Sequence, residues 1–407
     1  MTDELRDWRA SFPVLVAECQ SIGSLAAVRS LGRAGYVVHA VSEEGNALGM
    51  RSRFASHACT HPAYTSGEFF GWLDDYIRAQ GIRLIIPSEG FLRAIQSAFS
   101  RYSHLLPLPA EVGRVYGALS KYELFERFTG RADPHVPPTC LINSVSIRVG
   151  GELARLRLPL FLKADADTSR SLGALVERVA AASDLHNRAA QLQGIYGRLI
   201  AQESVPGVGV GVFFCRWHNE ELAWFMHRRL HEVPYEGGVS SLRESWVHPE
   251  ILKHARGVIE ELDWDGVAML EYRFDEQSGG FWLLEMNARF WGSLHLALYS
   301  GIDFPLILAD AFHGRVARCT EFPTGIRCRI TVPLEIQHVW SMLRDPGLGL
   351  AVKVGAIAGF VALGLSPTVK EDLLFPGDRW LYVVNMGRFA RAWLGACLRS
   401  AWRGLAK

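Results

Sequence analysis

Gly266-Val-Ala-Met-Leu-Glu271-Tyr-Arg-Phe-Asp275-Glu-Gln-Ser278-Gly-Gly280-Phe-Trp-Leu-Leu-Glu285-Met-Asn287-Ala-Arg289-Phe-Trp-Gly-Ser293 is the stretch whose reading decides the fold. Two apolar runs flank a turn at Asp275 to Gly280, the pattern of a β-hairpin. With the turn centred on Ser278, Glu271 falls opposite Glu285. Asn287 shares the face of Glu285 because the strand period is two. Like charges directly opposite each other destabilise a hairpin, and a cation between them reverses the sign of that effect. Two carboxylates and an amide carbonyl form a hard, all-oxygen set. Such a set suits Mg²⁺ when phosphate oxygens complete the octahedron. By spacing alone, an exposed hairpin face with solvated glutamates fits equally well.

Upstream, the first 115 residues alternate strand and helix signals. Phe12 to Ala17, Tyr36 to Val41 and Arg83 to Pro87 are short apolar runs, with helical stripes at Ser24 to Leu31 and Phe69 to Ile77 between them. This spacing predicts parallel βαβ units. The turn after the first strand, Glu18 to Ser24, holds one glycine, Gly23. A dinucleotide fingerprint needs three, so an open α/β domain without a nicotinamide or flavin site is expected. A helix follows at Leu119 to Phe128, a strand at Leu158 to Lys163, a helix at Leu185 to Leu192 and a strand at Leu199 to Val205. The glycine run Gly207, Gly209, Gly211 leads into another strand, not a helix, so it reads as a turn, not a phosphate loop. His57 and His61 fall in a predicted loop. Ser88-Glu89-Gly90, after the third strand, reads as a helix N-cap or a cleft contact. Beyond residue 315 the pattern is mainly helical.

Composition sets the outer bounds. The 407 residues predict two or three domains. Lys and Arg total 43 against 42 Asp and Glu, a net +1, which excludes a polybasic nucleic-acid binder. Seven scattered cysteines without CxxC point away from zinc and disulfides and toward a reducing cytoplasm. The 14 histidines form no HExxH or HxH cluster. The charged N-terminus has no signal-like apolar region. Gly347 to Leu365 is the most apolar stretch, though Lys353 and five glycines argue for a packed or membrane-contacting helix over a span. The tail interleaves Arg388, Arg391, Arg399, Arg403 and Lys407 with Trp393, Leu394, Leu398 and Trp402. Such a tail can make peripheral membrane contact, or pack on a domain or on a second copy in a homodimer.

Leu284-Glu285-Met286-Asn287-Ala288-Arg289-Phe290-Trp291-Gly292-Ser293, followed by Gly301-Ile-Asp-Phe-Pro305, resembles the metal-binding signature of the ATP-grasp superfamily. It is most similar to the carbamoyl-phosphate-synthetase and carboxylate–amine ligase branch. The resemblance spans about residues 10 to 315. It implies an α/β fold: an N-terminal open parallel-sheet domain over 1–115, a two-lobed α+β ATP-grasp unit over 116–315, and a mainly helical extension over 316–407. It also implies roles. Glu271, Glu285 and Asn287 would hold Mg²⁺ or Mn²⁺. Lys121 and Lys163 would meet the phosphates of ATP, and Gln202, Glu203 and the Val205 backbone would meet adenine. Arg289 and Lys163 would be catalytic, and Arg228, Gly238 and Ser240 would face the acceptor.

The chemistry so implied is ligation of a small-molecule carboxylate to an amine through an acyl phosphate. The enzyme must bring two anions together and neutralise their charge. One stretch departs from the family pattern. Ala164 to Gly173, where a glycine-rich lid is expected, holds a single late glycine together with Asp165 and Asp167, which would repel a bare triphosphate. A nucleotide-binding regulatory protein without turnover is therefore the alternative expectation.

Overall fold

The computed structural model describes residues 2–131, 133–144, 151–166 and 172–405. Its first sheet is parallel, in the order β3-β2-β1-β4, from β1 (Val14–Val16), β2 (Val38–Ser42), β3 (His57–Thr60) and β4 (Leu84–Ile86). Every residue of β1, β2 and β4 is buried, which is why they read as continuous apolar runs. The stretch around His57, expected as a loop, is the edge strand β3. Its side chains are mostly exposed, so no hydrophobic period marks it, and His57 stacks on His39 at 4.4 Å.

A second sheet runs β5-β8-β6-β7, from β5 (Thr139–Ile142), β6 (Leu160–Ala164), β7 (Leu175–Val179) and β8 (Leu199–Glu203). The third and largest has seven strands. They are β9 (Val208–Trp217), β10 (Glu220–Val233), β11 (Val239–Ser245), β12 (Gly266–Phe274), β13 (Phe281–Asn287), β14 (Arg327–Arg329) and β15 (Val369–Glu371), in the order β13-β12-β9-β10-β11-β14-β15. The stretch beyond residue 315, expected to be mainly helical, thus adds two strands to this sheet. At three residues each they carry no readable period.

Both faces of the large sheet are covered. Val212, Phe214 and Leu270 join a core that includes Ile251, Ala255 and Ile259 of the Pro249–Glu261 helix. Phe213, Phe225 and Met269 join a second core with the Ile22–Arg33 and Phe304–Phe312 helices. Gly23, in the first turn of the Ile22–Arg33 helix, is required by a close approach. A Cβ there would stand 2.7 Å from the Trp291 carbonyl oxygen. This contact presses the Ile22–Arg33 helix against the segment that follows β13.

The C-terminal part is tied back by a buried ion pair. Arg29 Nε donates to Asp378 Oδ2 at 2.9 Å and its Nη1 to the Asp372 carbonyl at 2.7 Å, with neither side chain of the Arg29–Asp378 pair exposed. Asp378 also accepts from Ser52 Oγ at 2.7 Å and the Arg53 N–H at 3.1 Å. The apolar Leu350–Leu365 helix has no buried residue. Among the described residues no helix is long and apolar enough to cross a membrane.

Removing one partner of a buried pair strands the other charge at a cost of about 3–5 kcal/mol. Asp378→Ala should therefore lower the urea-unfolding midpoint strongly. A midpoint equal to wild type would show that this tie carries no stability.

Candidate functional site

The hairpin register sets Glu271 of β12 directly across from Glu285 of β13. A row of paired residues continues from there across the sheet: Glu271 to Gly211 on β9, Gly211 to His227 on β10, and His227 to Ser245 on β11. Gly211 is the gap in that row, since a Cβ would come within 2.7 Å of the His227 ring. His227 is buried, and neither ring nitrogen has a partner among the described residues. Burial, with Arg229 and Arg243 nearby, pushes its pKa well down, so the ring is neutral.

Arg229, two positions along β10, reaches Glu271. Its Nη2 lies 2.5 Å from Glu271 Oε2, while Nη1 donates to Glu232 Oε1 at 3.2 Å and to the Gly238 carbonyl at 2.7 Å. Burial and the facing Glu285 raise the Glu271 pKa against the pull of Arg229. For Glu285, burial also pushes upward. Lys121, the Asn287 amide and Lys163 outweigh it and hold the carboxyl below its ordinary range. Asn287 Nδ2 donates to Glu285 Oε1 at 2.9 Å, which leaves its carbonyl oxygen as the donor for a cation.

Two lysines arrive from separate elements. Lys121 opens the Lys121–Thr129 helix, and its Nζ lies 3.5 Å from Glu285 Oε2. Lys163 on β6 is buried and donates to Gln202 Oε1 on β8 at 2.6 Å. Burial lowers its pKa to about 8, although Glu285 pulls upward. Two opposed carboxylates, one free amide oxygen and two ammonium groups fit a hard divalent cation together with phosphate. Among the described residues no group of three or more His, Cys, Asp and Glu is arranged to hold a metal, so the amide is needed to complete a set.

The remaining sequence-predicted residues are placed as follows. Gln202 is occupied by Lys163 and by Thr139, whose Oγ1 accepts from Nε2 at 3.0 Å. Glu203 accepts from the Arg157 N–H at 2.8 Å and from its Nε at 3.0 Å, so this carboxylate is engaged on its own lobe. Val205 is half-buried just past the end of β8. Arg289 Nε lies 3.6 Å from Glu89 Oε2, and Glu18 is close enough to feel its charge. Ser88 caps its helix by accepting from the Phe91 N–H at 3.0 Å, while Glu89 beside it faces Arg289.

Arg228 is turned away from Glu271. It pairs with Glu244 at 2.9 Å and Glu276 at 3.1 Å and lies over the Trp246 ring. Its neighbour Arg229 is the residue that meets the carboxylates, and only the sheet register separates the two. Gly238 contributes its carbonyl to Arg229, and Ser240 is buried on β11. Asp165 is engaged at a helix start. It accepts from Ser120 Oγ at 2.8 Å and from the Lys121 N–H at 2.9 Å, capping the helix that carries Lys121. Asp167 and the rest of the stretch to Ser171 lie outside the described residues.

Residues 197–332 match the family described as ATP-grasp in the biosynthetic pathway with Ter operon. No curated protein matches the chain. Among solved structures, the chain is similar to an L-amino acid ligase from Bacillus licheniformis, at 14% identity and a TM-score of 0.57 over 74% of this chain and 75% of that one. It is also similar to the ADP complex of N5-carboxyaminoimidazole synthetase from Staphylococcus aureus, at 13% identity and a TM-score of 0.58 over 76% and 80%. A third is the biotin carboxylase domain of 2-oxoglutarate carboxylase from Hydrogenobacter thermophilus, in complex with MgADP, ADP and bicarbonate. It matches at 14% identity and a TM-score of 0.57 over 77% and 73%.

The buried Lys163 gives a pH test with a definite sign. Its folded pKa of about 8 lies below the unfolded 10.5, so the unfolded chain holds the proton more tightly. The charged amine therefore costs stability below pH 8, and that cost is relieved as pH rises from 8 toward 10.5. Lys163→Met should raise the unfolding free energy at pH 7 by up to about 3 kcal/mol. The gain should shrink to about 2 kcal/mol at pH 9 and nearly vanish only by about pH 11. Urea unfolding at each pH measures it, and a gain independent of pH contradicts the burial argument.

Proposed function

The chain carries an ATP-grasp fold, and from that premise we propose that it is an ATP- and Mg²⁺-dependent ligase joining a carboxylate to an amine through an acyl phosphate. One observation carries the proposal. Lys121, Lys163, Glu271, Glu285, Asn287 and Arg229 come from separate stretches of chain and converge on one polar cluster. The ADP and MgADP in two structurally similar proteins support a nucleotide with magnesium here.

A carboxylate is a poor acylating agent at neutral pH. Transfer of the terminal phosphoryl group of ATP to it makes a good leaving group, which the amine then displaces. Lys121 and Lys163 supply fixed positive charge for the phosphates. Glu271, Glu285 and the Asn287 carbonyl would hold Mg²⁺, which when bound neutralises charge on the terminal phosphates. Arg229 orients the Glu271 carboxylate and opposes the upward push of burial and of Glu285 on its pKa. Arg289 offers a guanidinium fork to the transferring phosphoryl group or to the substrate carboxylate. Its ion-pair partner among the described residues is Glu89 at 3.6 Å and its Nη1 donates to the Phe290 carbonyl at 3.1 Å, so no carboxylate holds it in a tight pair.

A screen of carboxylic acids with ATP, Mg²⁺ and hydroxylamine should yield a hydroxamate, ADP and phosphate. AMP and pyrophosphate would instead indicate an adenylate route. With an acid so identified, Glu285→Gln and Asn287→Ala should abolish ADP formation without loss of folding, and chelation of divalent cations should do the same. Arg289→Ala should reduce trapping by about 10²-fold or more, the effect of removing one preorganised charge from a transition state. Full activity in the Glu285 and Asn287 variants would remove the metal assignment. Nucleotide binding without ADP release for any acid would favour the regulatory alternative.

A further inference from the structure

The end of β10, beyond Arg229, borders a cavity of about 320 Å³. That is within the range of about 300–1,000 Å³ usual for small-molecule sites. Much of its wall comes from residues 335–360, beyond the 197–332 family match. The Ile336–Arg344 helix contributes Val339 and Met342, and the Leu350–Leu365 helix contributes Phe360. On that second helix the lining positions 355, 356 and 359 are Gly, Ala and Gly, so the space is kept open by small residues.

The other end of the cavity is polar. Glu335 is fully buried there, and both its oxygens accept from His231 Nδ1, at 3.1 and 3.2 Å. Burial pushes this carboxyl upward, but the His231 hydrogen bond and charge, with the Ser241 hydroxyl nearby, outweigh it and hold the group below its ordinary range. The His231 ring lies flat on His338 at 4.3 Å, and His338 Nδ1 in turn donates to the Glu232 carbonyl at 2.7 Å. Because His231 spends Nδ1 on the carboxylate, Nε2 is its free acceptor. A buried anion at the head of an otherwise apolar chamber attracts an ammonium and rejects a carboxylate.

The chamber adjoins the carboxylate cluster. His231 follows Arg229 by two residues, about 7 Å along a strand. Arg229 touches Glu271, and Glu232 bridges Arg229 and Arg273 at 3.2 and 2.9 Å.

We propose that this cavity is the amine site, taking a small primary amine with an apolar side chain, with Glu335 and His231 receiving its ammonium group and His231 Nε2 accepting its proton. The assignment rests on the ligase reading and names its nucleophile. In the step it serves, the amine nitrogen attacks the acyl phosphate carbon. The C–N bond forms and the bond from that carbon to the phosphate oxygen breaks. Of the three ammonium protons, one stays on the amide nitrogen, one passes to His231 and one leaves with the phosphate.

The first test needs no acid. Isothermal titration calorimetry of the full chain with isobutylamine and 2-phenylethylamine should show binding, and 3-phenylpropionate should not bind. Gly359→Leu places a side chain in open space on the cavity wall and is a better helix former than glycine. It should weaken amine binding at least tenfold, as should Glu335→Gln. The second test uses turnover. Hydroxylamine has no side chain and is mostly unprotonated at neutral pH, so its trapping by the wild-type chain reports the activation step separately from the cavity. His231→Gln should lower kcat with 2-phenylethylamine by about 10²-fold or more, the usual worth of a general base. Absence of hydroxamate from wild type would sink the ligase reading, and the calorimetry would still decide the cavity. The proposal is overturned if neither amine binds, if 3-phenylpropionate binds as well as the amines, or if Gly359→Leu binds them like wild type.

Discussion

Two carboxylates facing each other across a hairpin, both largely out of water, are the constraint around which the molecule is arranged. Glu271 and Glu285 are paired in register, and such a pair destabilises the sheet unless positive charge is brought to it. The fold brings that charge from three directions: Arg229 from within the same sheet, Lys121 from a helix start, and Lys163 from the second sheet. The two carboxylates respond differently because their neighbours differ. Glu285 has the lysines and the Asn287 amide and stays ionised. Glu271 has one arginine against burial and against Glu285 itself.

Supplying that charge also has a structural cost. Lys163 is buried far enough that its ammonium is disfavoured, and it is placed by Gln202, which Thr139 holds in turn. This chain of contacts crosses β6, β8 and β5, so three strands of the second sheet take part in holding one amine in place. Asp165 acts in the same direction. By capping the Lys121–Thr129 helix it links the end of β6 to the start of that helix, and so couples the two lysines. An aspartate that looks like a defect in a phosphate loop is, by position, part of the lysine scaffold.

The hairpin, its register and its face were legible because strand periodicity is strict and the turn at Asp275 to Gly280 is explicit. The buried parallel strands were legible as apolar runs. What escaped were features that depend on register between distant strands. Arg228 and Arg229 are adjacent in sequence and differ only in the face they present, which the bulge in β10 and its pairing with β9 decide. The strands β14 and β15 are too short to carry a period, and β3 is too exposed. The pairing of Glu335 with His231 joins residues 104 apart and leaves no local signature.

These same long-range pairings explain why the chain beyond residue 315 cannot be treated as an appendage. The strands β14 and β15 extend the large sheet, and Arg243 on β11 is neutralised by Asp372 just past β15. Arg29 on the Ile22–Arg33 helix is neutralised by Asp378 a few residues further on. Each of these is a fully buried arginine whose partner lies in the C-terminal stretch, and a buried guanidinium without a partner is strongly destabilising. The Ile22–Arg33 helix and the large sheet therefore both depend on residues 372–378 for charge balance. That dependence also fixes the start of the segment that walls the cavity beside β10. β14, which ends at Arg329, is paired to β11, and the Thr331–Glu335 turn that follows carries the Glu335 carboxylate to His231. His231, the partner of Glu335, thus stands on the same seven-stranded sheet as Glu271.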